Sequence, residues 1–307
     1  MSNDKLFARI QELAKSGISK REAGKILWEE GFVDNIEAGR YKIRYYTNSA
    51  GGKNNPSRTV NWETGIPEPD PPDFQIVEMP SAYKKILVLT DVHVPFHDKE
   101  AITIALEAAK DCDAIILQEV FDFYALSRFD KNSFVSVRHE QDNWERLMDH
   151  IRSITDVPIY YQEGNHDERY QVFIHKQTAA IRDLRGLEFQ VLFGFNDYDV
   201  RPMPGRCIIK IKDQYLGHGH ETGMKSGGVY PARTLFLKVR DNYTVGHFHK
   251  TTQFTSRNSL TGKTITTNTL ACLCNLNPYY MRINDWNHGY GVYHVGEESA
   301  WLENIRI

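Results

Sequence analysis

Ile86-Leu87-Val88-Leu89-Thr90-Asp91-Val92-His93 is the stretch that decides the fold. Four β-prone apolar residues in a row, too short a run for a helix, predict a strand buried on both faces. Polar Asp91 and His93 follow at its end. The device then repeats: residues 101–110 have helical apolar spacing, and Ala114-Ile115-Ile116-Leu117 is a second buried run. Strand, helix, strand predicts an α/β fold with a parallel or mixed sheet. A helix is expected over 144–154, a third strand at Ile159-Tyr160-Tyr161 and a third helix over 168–183. After these the helical signal fades, and residues 207–211, 215–216, 243–245, 263–270 and 292–295 are expected to be strands of a second sheet.

Upstream, the spacing predicts three short helices. Leu6, Ile10 and Leu13 share a face, and Gly17 ends the first helix. Ser19-Lys20-Arg21-Glu22 is a capping box for the second, which carries Ala23, Ile26 and Leu27 on one side until Gly31. Asp34-Asn35-Ile36-Glu37 opens the third, with Ile36, Gly39 and Ile43 inward and Arg40, Lys42 and Arg44 toward water. The last two helices have the proportions of a helix-turn-helix. Gly51-Gly52, Asn54-Asn55-Pro56 and then Pro67, Pro69, Pro71, Pro72 and Pro80 are linker chemistry. The expected organisation is a helix-turn-helix-like domain over 1–47, a Pro/Gly-rich linker over 48–82 and a catalytic domain over 83–307.

Of the 307 residues, 41% are apolar and 25% charged, which excludes collagen-like, coiled-coil and wholly disordered chains. No run approaches the ~18 apolar residues that span a bilayer, and Met1-Ser2-Asn3-Asp4-Lys5 is no signal peptide, so a cytoplasmic protein without a membrane partner is expected. Cys112, Cys207, Cys272 and Cys274 are expected to be reduced, buried and apolar in role. The net charge of −3 argues against a protein coated in nucleic acid, but the first 53 residues carry 10 Lys/Arg against 7 Asp/Glu, a local excess of +3.

Chemistry collects at strand ends. Beyond Asp91-Val92-His93 come Gln118-Glu119-Val120-Phe121-Asp122, Gly164-Asn165-His166-Asp167, His218-Gly219-His220 and Gly246-His247-Phe248-His249. Six of the 12 histidines fall just after expected strands. Imidazoles and carboxylates gathered in one crevice are costly to desolvate unless a cation binds them. Oxygen and imidazole donors without thiolate suit manganese, iron or zinc.

The ordered set D-x-H, G-D-x-x-D, G-N-H-D, H and G-H-x-H resembles that of the calcineurin-like metallophosphoesterases, over about residues 83–295. The resemblance implies a two-sheet sandwich flanked by helices, here with the small all-α domain in front. It implies two divalent ions, with manganese expected and iron, zinc, nickel and magnesium as the other candidates. Asp91, His93 and His249 would hold one, Asn165, His218 and His247 the other, and Glu119 would bridge them. By the same resemblance, a hydroxide held by the ions would attack phosphorus, His166 would give a proton to the leaving oxygen, and Asp167 is expected to fix the tautomer of His166.

This chain departs from the pattern where the family has Gly-Asp and it has Gln118-Glu119. A longer carboxylate and a long polar neighbour leave three outcomes open: a shifted metal pair, one weak metal, or a degenerate site. Arg40, Tyr41, Lys42 and Arg44, with Tyr45 and Tyr46, make a basic helix interleaved with aromatics, the type that lies on phosphate backbones. The expected function is therefore a nucleic-acid phosphodiesterase, a DNA nuclease. The alternatives are a phosphomonoesterase for proteins or small molecules, with the N-terminal helices recruiting a protein partner, and a non-catalytic DNA-binding protein. Ser127, Arg128, Phe129, His139, Lys225 and Arg233 are candidate substrate contacts. His97 and His220 are candidate supports for the ligands, and the segment from Trp286 to Tyr290 is expected to be a packing corner.

Overall fold

The computed structural model describes residues 3–47, 75–128, 135–224 and 228–307. The chain divides into two compact units, Met1–Pro72 and Asp73–Ile307.

In the first unit, α1 (Asn3–Lys15), α2 (Lys20–Glu29) and α3 (Ile36–Tyr46) follow in order. The Ser19 hydroxyl accepts the Glu22 amide hydrogen, half of the expected capping box. Asn35, not Asp34, caps α3, its Oδ1 taking the Ala38 N–H at 2.8 Å. Leu6, Ile10, Leu13, Ala23, Leu27 and Ile43 make one buried cluster. Gly24 and Gly39 let α2 and α3 meet backbone to backbone, since a Cβ on Gly39 would lie 2.9 Å from the Gly24 Cα. The same approach draws the Arg40 stem over Gly24. Arg40 is therefore half-buried and paired with Glu37 instead of facing water, while Tyr41 and Arg44 are exposed.

The second unit starts with β1 (Ile76–Glu78), inside the stretch expected to be linker, and continues through β2 (Lys85–Thr90), α4 (Lys99–Glu107), β3 (Ala114–Gln118), α5 (Val137–Ile154), β4 (Ile159–Gln162) and α6 (Glu168–His175). Then come α7 (Ala179–Arg182), α8 (Phe189–Leu192), β5 (Val200–Pro202), β6 (Ile208–Ile211), β7 (Gln214–Gly217), α9 (Pro231–Val239), β8 (Tyr243–Val245), β9 (Thr252–Arg257), β10 (Thr264–Thr269), β11 (Gly289–Val295) and β12 (Ala300–Arg306). Among the described residues the strands form two six-stranded sheets, β12-β11-β2-β3-β4-β5 and β1-β6-β7-β8-β10-β9. The fold class is the expected one: an α/β two-sheet sandwich flanked by helices, with a small all-α unit before it.

Period-2 alternation assigns the two faces of the central strands. Leu87, Leu89, Ile115 and Leu117 pack with Ala105, Trp144 and Met148 in the helical layer. Ile86, Val88 and Ile116 pack with Ile209, Ile211 and Leu216 of the facing sheet. Three expectations change. Residues 292–295 lie in the first sheet, not the second, because β11 pairs antiparallel with β2 and β12. The helix expected over 168–183 breaks after His175 and restarts at Ala179. The helix expected from 144 begins at Val137, capped by Ser136. Among the described residues no helix is long and apolar enough to cross a membrane.

Candidate metal centre

β2, β3 and β4 run parallel and end side by side, so the residues after them emerge at one edge of the sheet. These are Asp91 and His93, then Glu119 and Asp122, then Gly164 to Asp167 leading into α6. The facing sheet delivers His218 and His220 after β7 and His247 and His249 after β8. Contacts between the sheets close the ring. His249 Nε2 lies 3.2 Å from Asp91 Oδ1, and the His247 amide donates to Asp91 Oδ2 at 2.9 Å. His218 Nε2 lies 3.0 Å from Glu119 Oε2, also across the sheets, while within the first sheet His93 Nε2 lies 3.3 Å from Glu119 Oε1.

Among the described residues four groups of donor atoms lie within 4.8 Å of one another: Asp91, His93, Glu119 and His249; Glu119, His218 and His247; and two smaller ones that share His93, with His249 and Cys274 and with Asp122 and His166. Glu119 belongs to the first two, one oxygen toward each. Asp91 Oδ1, both ring nitrogens of His93 and of His218, and Asn165 Oδ1 are buried without an aligned hydrogen-bond partner. Leaving such atoms unsatisfied costs on the order of 1–3 kcal/mol each, and all are donor types that divalent metals accept. The residues present therefore fit metal ions.

The backbone carries the same signal. Among the described residues ten non-glycine positions have positive φ, and Asp91, His93, Glu119, His247 and His249 are half of them. Left-handed conformations in such residues persist only where surrounding structure enforces them, typically at functional sites. Electrostatics in the metal-free site follow from burial set against opposite charge. Burial penalises ionised Asp91 and Glu119, yet His249 beside the first and His218 beside the second hold both well below the ordinary carboxylate range. His218 rises to about 9 because Glu119 outweighs its burial, whereas burial and the His218 charge lower His247 to about 4.

Several residues differ from expectation. The carboxylate beside His166 Nδ1 is Asp122, at 3.2 Å, not Asp167. Asp167 instead accepts hydrogen bonds from the Gly164 and Phe121 amides and the Tyr161 hydroxyl, which locks the loop before α6. Gln118 donates from Nε2 to Gln162 Oε1 and to the Gly217 carbonyl, tying the two sheets together. Glu119 finds its room at Gly164, where a Cβ would lie 2.6 Å from the Glu119 Cβ. His220 bonds Glu168 at 3.1 Å. Trp286 is more than a packing corner, its ring centroid lying 4.1 Å from that of His249.

All four cysteines are buried and free, and Cys274 Sγ approaches His249 Nδ1 at 3.8 Å. Arg128, His139 and Arg233 are exposed, and His139 engages Asn143 on its own helix, outside the donor cluster. Phe129, Lys225 and the stretch over 48–74 lie outside the described residues.

Sequence reasoning missed Glu140, a polar residue of the first turns of α5. It is fully buried, and its Oε2 accepts the Phe123 N–H at 2.7 Å. Burial, reinforced by Asp122 and Asp167, raises its carboxyl to about 8. The folded state thus keeps a proton that the unfolded chain loses near 4.5. The associated stability is complete below that value and is lost as pH rises through about 8, by at most about 1.4 kcal/mol per pH unit. Glu140→Gln removes the dependence. Thermal melts of metal-free protein should coincide for wild type and variant near pH 4.5 and diverge in favour of the variant toward pH 8; equal melts at pH 8 would refute the assignment.

No protein-family model matches the chain. The Gene 54 proteins of Mycobacterium phages L5 and D29 are each 24% identical to it over 179 residues, covering 54% of this chain and 69% of theirs. Similar solved structures include a single mutant of Vps29 from Entamoeba histolytica, 14% identical, covering 73% of this chain and 99% of that one at a TM-score of 0.33. Vps29 of Chaetomium thermophilum is 9% identical, covering 73% and 97% at 0.37. A conserved uncharacterized protein of Streptococcus pneumoniae, described as a predicted phosphoesterase, is 11% identical, covering 70% and 84% at 0.30.

Proposed function

We propose that this chain is a metal-dependent phosphoester hydrolase and, within that class, a nucleic-acid phosphodiesterase acting on DNA. The supporting observation is Glu119, one carboxylate facing two sets of donors drawn from both sheets, all buried but the half-buried His247. Asp91, His93 and His249 would hold one ion, Asn165, His218 and His247 the other, and Glu119 both. When bound, such a pair supplies Lewis acidity toward a phosphoryl oxygen and makes water nucleophilic at neutral pH. His166 stands beside His93, ring centroids 4.3 Å apart, with Asp122 at its Nδ1. Its Nε2 is thereby the nitrogen left to meet a leaving oxygen. Burial of the donors keeps bulk water from competing for these contacts.

DNA is favoured over a small ester by α3, which presents exposed Tyr41 and Arg44 in the part of the sequence with a basic excess. The test is conversion of supercoiled plasmid to nicked or linear forms by the full chain with Mn²⁺, beside His166→Ala and a chelated control. Cleavage in the first and none in either control is expected. Intact plasmid from protein shown to hold metal, with turnover of a phosphomonoester, would replace the diesterase by a phosphatase and make the N-terminal helices a protein-docking module.

A further inference from the structure

Arg169, the second residue of α6, reaches back across the imidazole of His166. Its Nη2 lies 2.9 Å from His166 Nε2, and its Nη1 donates to the Asp122 backbone oxygen at 2.6 Å with the Asp122 carboxylate at 3.3 Å. The side chain is 19% exposed, so the guanidinium is neither sealed in the core nor free on the surface. A guanidinium has donors only, which makes Nε2 the acceptor in this contact. As the ring stands, Nε2 is occupied and presents no hydrogen to a substrate.

A phosphoryl group held against the two donor sets would bring anionic oxygens to this place. The planar fork of an arginine suits them better than it suits a neutral imidazole, because phosphoryl oxygens carry the opposite charge and can take two parallel bonds from the fork. We propose that Arg169 is a substrate-positioning residue that exchanges one acceptor for another. In the free enzyme its Nη2 rests on His166 Nε2; when an anionic phosphoryl group binds, Nη2 moves to a non-bridging oxygen and Nε2 is freed of the guanidinium. Nη1 keeps its hold on Asp122 throughout, so one side chain ties substrate arrival to the exposure of His166. The inference rests on the phosphoester reading of the same site.

The experiment uses the Mn²⁺-loaded full chain with Arg169→Gln and Arg169→Lys. Inorganic phosphate binding is followed by calorimetry, steady-state hydrolysis with bis-p-nitrophenyl phosphate, and metal content by elemental analysis. Arg169→Gln is expected to weaken phosphate binding and raise KM in parallel by about 10–100-fold, with metal content unchanged and kcat falling less. Arg169→Lys should recover part of both. Unchanged phosphate affinity in both variants, or affinity lost only in step with metal, overturns the proposal and leaves Arg169 as a brace for Asp122. Wild-type protein that binds phosphate through Arg169 yet hydrolyses no ester would overturn the proposed function while leaving the phosphate contact standing.

Discussion

Gly164→Ala should abolish metal binding and reduce phosphodiester hydrolysis by at least about a thousandfold, although residue 164 has no side chain to offer a metal. The added Cβ would lie 2.6 Å from the Glu119 Cβ and 2.8 Å from its Cδ, and closer still to Oε2. Rotating Glu119 relieves the contact with the carboxylate but not the contact with Cβ, whose position the backbone fixes. Neither backbone can yield cheaply. The Gly164 amide is pinned to Asp167 at 2.8 Å, and Glu119, fully buried at positive φ, accepts the His166 amide at 3.0 Å. The loops after β3 and β4 must then part, which pulls the shared carboxylate away from both donor sets. Overpacking of about 1–3 kcal/mol should also lower the melting temperature of the metal-free protein by roughly 2–10 °C. The discriminating partner is the double variant Glu119→Gly/Gly164→Ala, which removes the clash: its melt should return toward wild type while its metal content stays at zero. Gly164→Ala protein with a full metal complement and wild-type turnover would sink the argument.

The same pair of residues marks the limit of what the sequence discloses. The five strand ends that carry the candidate ligands are legible because each joins a β-prone run to a short polar motif, a local pattern. Gly164 was legible only as a turn residue. Its φ is not in the left-handed region, and what it contributes is space for a carboxylate 45 positions earlier. Nothing local ties the two. Asp122 and Asp167 show the converse error: adjacency to His166 favoured Asp167, but the first turn of α6 folds that carboxylate back onto the Gly164 amide, leaving Asp122 to reach the ring from the neighbouring strand end. The alternation of β11 marks it as a strand but is identical whichever partner it pairs with, so it does not disclose that the strand joins the first sheet. β9 was unseen because Thr252-Gln253-Phe254-Thr255-Ser256-Arg257 sits at a sheet edge and alternates half-buried with exposed positions, with one large apolar residue among six.

Stoichiometry under single substitutions should separate a shared carboxylate from an ordinary ligand. His249→Ala removes a donor from the first set alone and His247→Ala from the second alone, so each variant should keep one firmly held ion per chain. Glu119→Ala should keep none. Its two oxygens face His93 and His218 from opposite sides, so its loss strips the anionic donor from the second set and leaves the first with Asp91. Charge decides how severe that is. Unit charges about 4 Å apart repel by about 4 kcal/mol at the effective dielectric of a protein site, and two divalent cations by about four times as much, so the pair requires an anion between its members. Metal per chain after gel filtration, measured for wild type and the three variants, should therefore read two, one, one and none, with turnover in Glu119→Ala down by at least about a thousandfold. If Glu119→Ala retains two ions, the Glu119 carboxylate is not shared between them, and the metals must be held by Asp91 and the histidines alone.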